Sequence, residues 1–141
     1  MAIKKVRTEY DNPIYVNTEN KLNKIGPGMC LAKWTQVTLQ LQTGHNHSCH
    51  HPRTHKISEK EIKRNPSALH NTQYKKLRRR EMLTGKRPEE CDYCWGVEDN
   101  SNRFSDRVFK STESWSAPHY DEIVSADWRA DFNPRYVEVA F

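Results

Sequence analysis

The chain has 141 residues, a mass of 16.7 kDa, a formal net charge of +5 and a pI near 9.1. Only 35% of its residues are apolar and the mean hydropathy is −1.01, so it can build one domain at most, with a thin core. No stretch approaches the ~20 apolar residues of a membrane span, which excludes that class and predicts a cytoplasmic protein. In that reducing compartment, four cysteines are more typical of metal ligands than of disulfides.

The first elements are predicted to be an extended arm and a hairpin. Residues 1–29 show neither helical nor strand periodicity and close with the turn signal of residues 26–28. Between residues 34 and 43, apolar and polar side chains alternate, which predicts a half-buried strand. Gly44 then indicates a turn, so residues 47–51 are predicted to return as a short second strand.

Two helices are predicted from capping signals. Ser58 and Glu61 form a capping box, so a short helix is expected to begin there and to stop before Asn65. Asn65 is a good N-cap and Pro66 suits a first helical position, so a longer helix is expected to follow and to end at Gly85. This helix carries a basic run that we interpret as a solvated surface rather than a nucleic-acid-binding stripe: Lys75, Lys76, Arg78, Arg79 and Arg80.

The last elements include the second pair of cysteines. Pro88, followed by two glutamates, predicts a helical turn that carries Cys91 and Cys94. Another short helix is predicted over residues 103–110. The sequence ends in a β-prone run at residues 136–141, which we expect to form a strand.

The four cysteines are predicted to form one metal site. Cys91 and Cys94 share one face of a helical turn, while Cys30 and Cys49 flank the predicted hairpin. Four thiolates suit both a tetrahedral zinc ion and a four-iron cluster. Two alternatives stay open: some cysteines are buried free thiols, or zinc takes three thiolates and one histidine. The candidate histidines are His45, His47, His50 and His51.

The residues also resemble a known family. Cys30, thirteen residues, Gly44, four residues, Cys49 and then Cys91-Asp92-Tyr93-Cys94 resemble the twitch pattern. Twitch is the shortened SPASM domain that holds an auxiliary [4Fe–4S] cluster in radical SAM proteins. Residues 65–69 and 82–88, with Glu98, are similar to the segment before the barrel in a group of such proteins known from bacteria and phages. Residues 134–141 resemble that group's first barrel strand.

The resemblance implies an α+β fold with three parts. These are an N-terminal arm (1–29), a twitch module of a small β-hairpin and helices (30–112), and a linker with the first strand of a radical SAM (β/α) barrel (113–141). It implies that the auxiliary cluster serves electron transfer or structural support and is bound by Cys30, Cys49, Cys91 and Cys94. Four cations near the cysteines can offset the cluster's negative charge: Lys33, His47, His50 and Arg53.

One motif of that family is missing. Its radical chemistry depends on a CxxxCxxC loop after the first barrel strand, and these 141 residues contain none. We therefore expect a fragment, or one piece of a split protein, that has no catalytic residues and is inactive alone. Its expected partners are a barrel in cis or trans, which would bind S-adenosylmethionine, and a peptide or small-molecule substrate. The alternative is a zinc-stabilised module that binds nucleic acid or protein without catalysis.

Overall fold

A computed structural model describes residues 12–141, so the part of the predicted arm before Asn12 lies outside the described residues. Within this range the α-helices are α1 (Pro13–Ile25), α2 (Ala32–Thr35), α3 (Glu59–Arg64), α4 (Gln73–Leu83), α5 (Asp92–Asn100), α6 (Asp106–Thr112) and α7 (Tyr120–Ser125). The strands are β1 (Gln36–Gln40), β2 (His45–His47), β3 (His55–Lys56) and β4 (Tyr136–Ala140). Short 3-10 helices cover Pro66–Leu69, Glu89–Cys91 and Ala117–His119.

The strands form one mixed sheet in the order β3-β2-β1-β4. β1 pairs antiparallel with β2, with Thr38 opposite His47, and parallel with β4, with Gln36 opposite Tyr136. The predicted hairpin and the α+β class are therefore confirmed, although the first strand is shorter than expected. The return strand lies at His45–His47 rather than at residues 47–51, so Cys49 follows this strand instead of lying on it. Gly44 has a φ of +69° in the connecting turn, a conformation that glycine adopts without a Cβ clash.

Residues 13–25 differ from the predicted extended arm, because they form α1. The side chain of Asn12 accepts a hydrogen bond from the N–H of Ile14 at 2.9 Å, and Pro13 occupies the first helical position. Leu22 is the one buried residue of this helix. Because a single buried position cannot produce a periodic apolar pattern, the only helical signal here is the Asn12-Pro13 pair, which the prediction of an extended arm did not use.

The predicted helix over residues 65–85 is divided into two pieces. A 3-10 helix covers Pro66–Leu69, and α4 begins only after Thr72, whose hydroxyl accepts a hydrogen bond from the N–H of Lys75 at 3.1 Å. α4 ends before Gly85, which has a φ of +82°. The predicted N-cap of α3 is confirmed, because the N–H of Glu61 donates to the hydroxyl of Ser58. The carboxylate of Glu61 accepts from the N–H of Gln73 at the start of α4, so the second bond of the predicted capping box is replaced by this contact.

Two residues of the basic run are buried, so the prediction of a solvated surface is wrong for them. The ammonium of Lys75 donates to the carbonyl of Gln36 at 3.0 Å. The guanidinium of Arg79 donates to the carbonyl of Lys33 at 2.8 Å and to that of Phe132 at 3.4 Å. Both side chains lie one helical turn apart on α4 and donate to carbonyls at the C-terminal end of α2, which have no hydrogen-bond partner within that helix.

The hydrophobic core is small, as the composition predicts. It lies between α1, α2, α4, α7 and the loop before β4, and therefore draws residues from all three predicted segments of the chain: Leu22, Met29, Leu31, Trp34, Met82, Ile123 and Phe132. Cys30 and Cys91 pack against its edge. Since Met29 and Leu31 are both buried in this core, the position of Cys30 between them is fixed by packing.

The predicted C-terminal strand is confirmed as β4, which lies at one edge of the sheet. The N–H of Arg135 donates to the carbonyl of Thr35 at 2.6 Å and starts the pairing with β1. Val137 and Val139 leave 52% and 43% of their surface exposed, so this edge presents apolar side chains to solvent. In the described range, the helices are all too short or too polar to cross a bilayer.

Candidate metal centre

The four cysteines meet at one cavity. All are free thiols, and all line the same cavity between the loop after β2, α2, α5 and α6. Cys30 comes from the segment before α2, and Cys49 lies two residues after β2. Cys91 ends a 3-10 helix, and Cys94 lies in the first turn of α5. Three separate chain segments therefore bring their thiols together at the edge of the core.

A close backbone contact places the first cysteine segment against the segment before Cys91. A Cβ atom added to Gly28 would lie 2.1 Å from the carbonyl oxygen of Lys86 and 2.9 Å from the Cα of Arg87. Only glycine allows this approach, because it has no Cβ. The contact lies two residues before Cys30 and a few residues before Cys91, so it sets the spacing of the two cysteine segments.

Hydrogen bonds hold α5 and α6 around the cavity. The indole N–H of Trp95 donates to the carbonyl of Pro88 at 2.8 Å, which fixes the turn that carries Cys91 and Cys94. On the opposite side, the hydroxyl of Ser111 accepts from the N–H of Leu31 at 3.0 Å. The first bond is local to the segment that carries Cys91 and Cys94, whereas the second ties α6 to the distant segment that carries Cys30.

Burial dominates the electrostatics of the thiols. It raises the pKa of all four, to about 12 for Cys49 and Cys94, because a thiolate loses hydration in the cavity. The backbone groups of Ala32, His51 and Arg107 partly oppose this shift at Cys30, Cys49 and Cys94, respectively. The metal-free thiols are therefore protonated near neutral pH, and a metal would release protons as it binds.

Lys33 places a buried positive charge beside the thiols. Its side chain is 2% exposed, and its ammonium lies 2.5 Å from the carboxylate of Glu90. Burial lowers the pKa of Lys33, but Cys91, Glu90 and Cys49 together outweigh burial and raise it above its usual value. Of the four cations considered from the sequence, Lys33 alone lines the cavity with its ammonium-bearing side chain, whereas His47, His50 and Arg53 do not.

Arg107 is a second buried cation at the cavity and was not predicted as a site residue. Its guanidinium makes a bidentate pair with Glu98 at 2.7 and 2.9 Å. It also donates to the carbonyl of Met29 at 3.1 Å and to the side-chain oxygen of Asn23 at 2.7 Å. One side chain therefore joins α1, α5 and α6 to the segment that carries Cys30.

One of the four candidate histidines, His51, lines the cavity. Its Nε2 hydrogen-bonds to Oδ2 of Asp106, and its ring stacks on Tyr93 with centroids 3.8 Å apart and planes 12° apart. His47 instead hydrogen-bonds to the carbonyl of Cys49 and holds the turn after β2. Asp106 lies far from the cysteines in sequence, and no local pattern marks it as a site residue.

Comparisons with known proteins give no match: no family model, no curated protein and no solved structure is similar to this chain. The resemblance to twitch-containing radical SAM proteins therefore stays a prediction.

Proposed function

We propose that this chain binds an auxiliary [4Fe–4S] cluster through Cys30, Cys49, Cys91 and Cys94. The observation that carries the proposal is the meeting of four free thiols from three chain segments at one cavity. Four cysteine thiolates are the usual ligand set of such a cluster. Buried free cysteines that served only as small apolar side chains would not need to meet at one place.

The surroundings of the thiols fit a cluster. The hydroxyl of Ser111 donates to the sulfur of Cys30 at 3.9 Å, and hydrogen bonds to the sulfurs tune cluster potentials. The buried cations Lys33 and Arg107 line the same cavity and can offset the negative charge of a thiolate-bound cluster. Met82 and Trp95 provide apolar walls that limit the access of water.

The spacing of the sulfurs favours a cluster over a single zinc ion. Within residues 12–141, no three cysteine sulfurs lie within 4.8 Å of one another. A tetrahedral zinc ion with bonds of about 2.3 Å requires sulfurs roughly 3.8 Å apart. A cube of four irons offers each cysteine a different corner, so its ligands stay farther apart. The zinc-stabilised binding module would need the cavity to contract.

A cluster with four protein ligands has no open iron position. Electron transfer or structural support therefore suits it better than direct binding of a substrate. By the resemblance, we propose that this module belongs to a radical SAM protein whose barrel, in cis or in trans, supplies the missing CxxxCxxC loop. The exposed apolar edge at Val137 and Val139 supports a further element packing beside β4.

The first test is anaerobic purification followed by iron, sulfide and zinc analysis with an absorption spectrum. We expect about four irons and four sulfides per chain, with a broad band near ~400 nm. Cys30→Ser and Cys94→Ser should lose the iron. Ser48→Ala is the matched control, because Ser48 lines the same cavity and is not a predicted ligand, so its iron content should not change. One tightly held zinc without iron would overturn the proposal.

A further inference from the structure

A second group of metal-binding side chains lies beside the cysteine cavity. His50, His51 and Asp106 each offer one ligand atom, and these three atoms lie within 4.8 Å of one another. In the described residues 12–141, no other group of three such side chains is this compact. The two histidines lie on the loop after β2, and Asp106 is the first residue of α6.

We propose that His50, His51 and Asp106 bind one divalent first-row transition-metal ion. Nε2 of His50 lies 3.8 Å from Oδ2 of Asp106, and Nε2 of His51 hydrogen-bonds to the same oxygen. An ion with bonds of about 2.1 Å separates neighbouring ligand atoms by roughly 3.0–3.4 Å. Small rotations of the side chains are enough to reach that geometry. Two imidazoles and a carboxylate suit zinc, iron(II) or cobalt(II).

Two of the three ligands, His51 and Asp106, are already held in position. The ring of His51 is stacked on Tyr93, which fixes its orientation. Asp106 follows Ser105, which is buried and whose hydroxyl donates to Glu98 at 2.5 Å, so the start of α6 is anchored to α5. Ligands fixed by such outer contacts lose little conformational entropy when an ion binds.

The site is open on one side. The side chain of His50 is 58% exposed, whereas those of His51 and Asp106 are 15% and 29% exposed. Three protein ligands on a solvent-facing site leave coordination positions for water or a small anionic substrate, which is typical of reactive rather than structural metal sites. Lys110 repels a cation near His50, so we expect moderate affinity.

This ion does not depend on the proposed cluster. Its ligands are nitrogen and oxygen atoms, whereas the cluster uses sulfur atoms. His51 and Asp106 also line the cysteine cavity, so the ion would lie at the edge of that cavity.

Cobalt(II) tests the proposal, because its spectrum reports its ligands. The full chain, treated with a chelator and kept reduced without oxygen, is titrated with Co²⁺ in equilibrium dialysis. Cobalt bound by thiolates gives intense near-ultraviolet charge-transfer bands, whereas cobalt bound by imidazole and carboxylate gives only weak visible bands. We expect one Co²⁺ with only weak visible bands, in addition to any Co²⁺ bound by the cysteines.

His50→Gln and Asp106→Asn should bind this ion at least about tenfold more weakly, with unchanged thiolate bands. His119→Gln is the matched control, because His119 also pairs with a carboxylate, that of Glu122 at 3.1 Å, and should leave the count unchanged. Since His50 is mostly exposed, its variant should fold even if Asp106→Asn does not. Equal Co²⁺ counts in the wild type and His50→Gln, or thiolate bands on every bound Co²⁺, would overturn the proposal. The number of Co²⁺ ions bound by imidazole and carboxylate does not depend on whether the cysteines bind iron, so the two proposals can fail separately.

Discussion

Replacing Arg107 by Met tests how the buried cation holds the cysteine segments together. The guanidinium is 3% exposed and bonds to Glu98, Met29 and Asn23. Met has a similar volume but no donors, so the substitution removes four hydrogen bonds with little change in packing. The carboxylate of Glu98 would then lose its bidentate partner.

The expected loss follows from the burial of this pair. Removing one partner of a buried ion pair costs about 3–5 kcal/mol, because the other charge stays buried. Glu98 is 20% exposed and keeps the hydroxyl of Ser105 as a donor at 2.5 Å. We therefore expect the lower end for Arg107→Met, a loss of about 3 kcal/mol in the free energy of unfolding.

Equilibrium urea unfolding followed by tryptophan fluorescence measures this loss. Arg129→Met is the matched control, because Arg129 makes the same bidentate pair with Asp131, at 3.0 and 3.1 Å, but is 66% exposed. The control should show no measurable change. A loss below about 1 kcal/mol in Arg107→Met, or equal losses in both variants, would refute the reasoning that burial sets the cost.

Two further predictions concern a glycine contact and a histidine. Gly28→Ala should lose about 2 kcal/mol in urea unfolding, because its Cβ would meet the backbone of Lys86; Gly96→Ala, with open space around it in α5, should lose nothing. Burial lowers the pKa of His55 from 6.5 to about 4, so the folded protein binds fewer protons than the unfolded chain in that range and loses stability as the pH falls. Between pH 6.5 and pH 4, the free energy of unfolding measured by thermal unfolding should fall by ~1–2 kcal/mol less in His55→Gln than in the wild type, after allowance for the solvent exposure of His55. Equal losses in the two proteins would contradict this prediction.

The sequence predicted the elements whose signals are local. The N-cap at Ser58, the turn at Gly44 and the β-prone run at residues 136–141 each depend on neighbouring residues, and all three are present. The pair Cys91 and Cys94 is also a local feature, since both residues lie on one helical turn. The hairpin predicted that Cys30 and Cys49 lie near Cys91 and Cys94, and all four line one cavity. Metal binding by these cysteines stays a prediction.

Features that depend on tertiary contacts could not be predicted. α1 buries only Leu22, so it has no periodic pattern, and its burial depends on helices distant in sequence. Lys75 and Arg79 were predicted as surface charges, because nothing near them in sequence shows that their side chains donate to the carbonyls of Gln36 and Lys33. Asp106 comes 55 positions after His51, and only the packing of α6 brings the two together.

The pairing of β1 with β4 has a consequence for synthesis on the ribosome. One side of β1 has no partner strand until β4 has been synthesised, because Gln36 pairs with Tyr136. Until that part of the chain has been made, β1 offers an unpaired edge that can add a strand from another molecule. We therefore expect the nascent chain to be prone to aggregation, and slow to fold because its sheet depends on a distant partner.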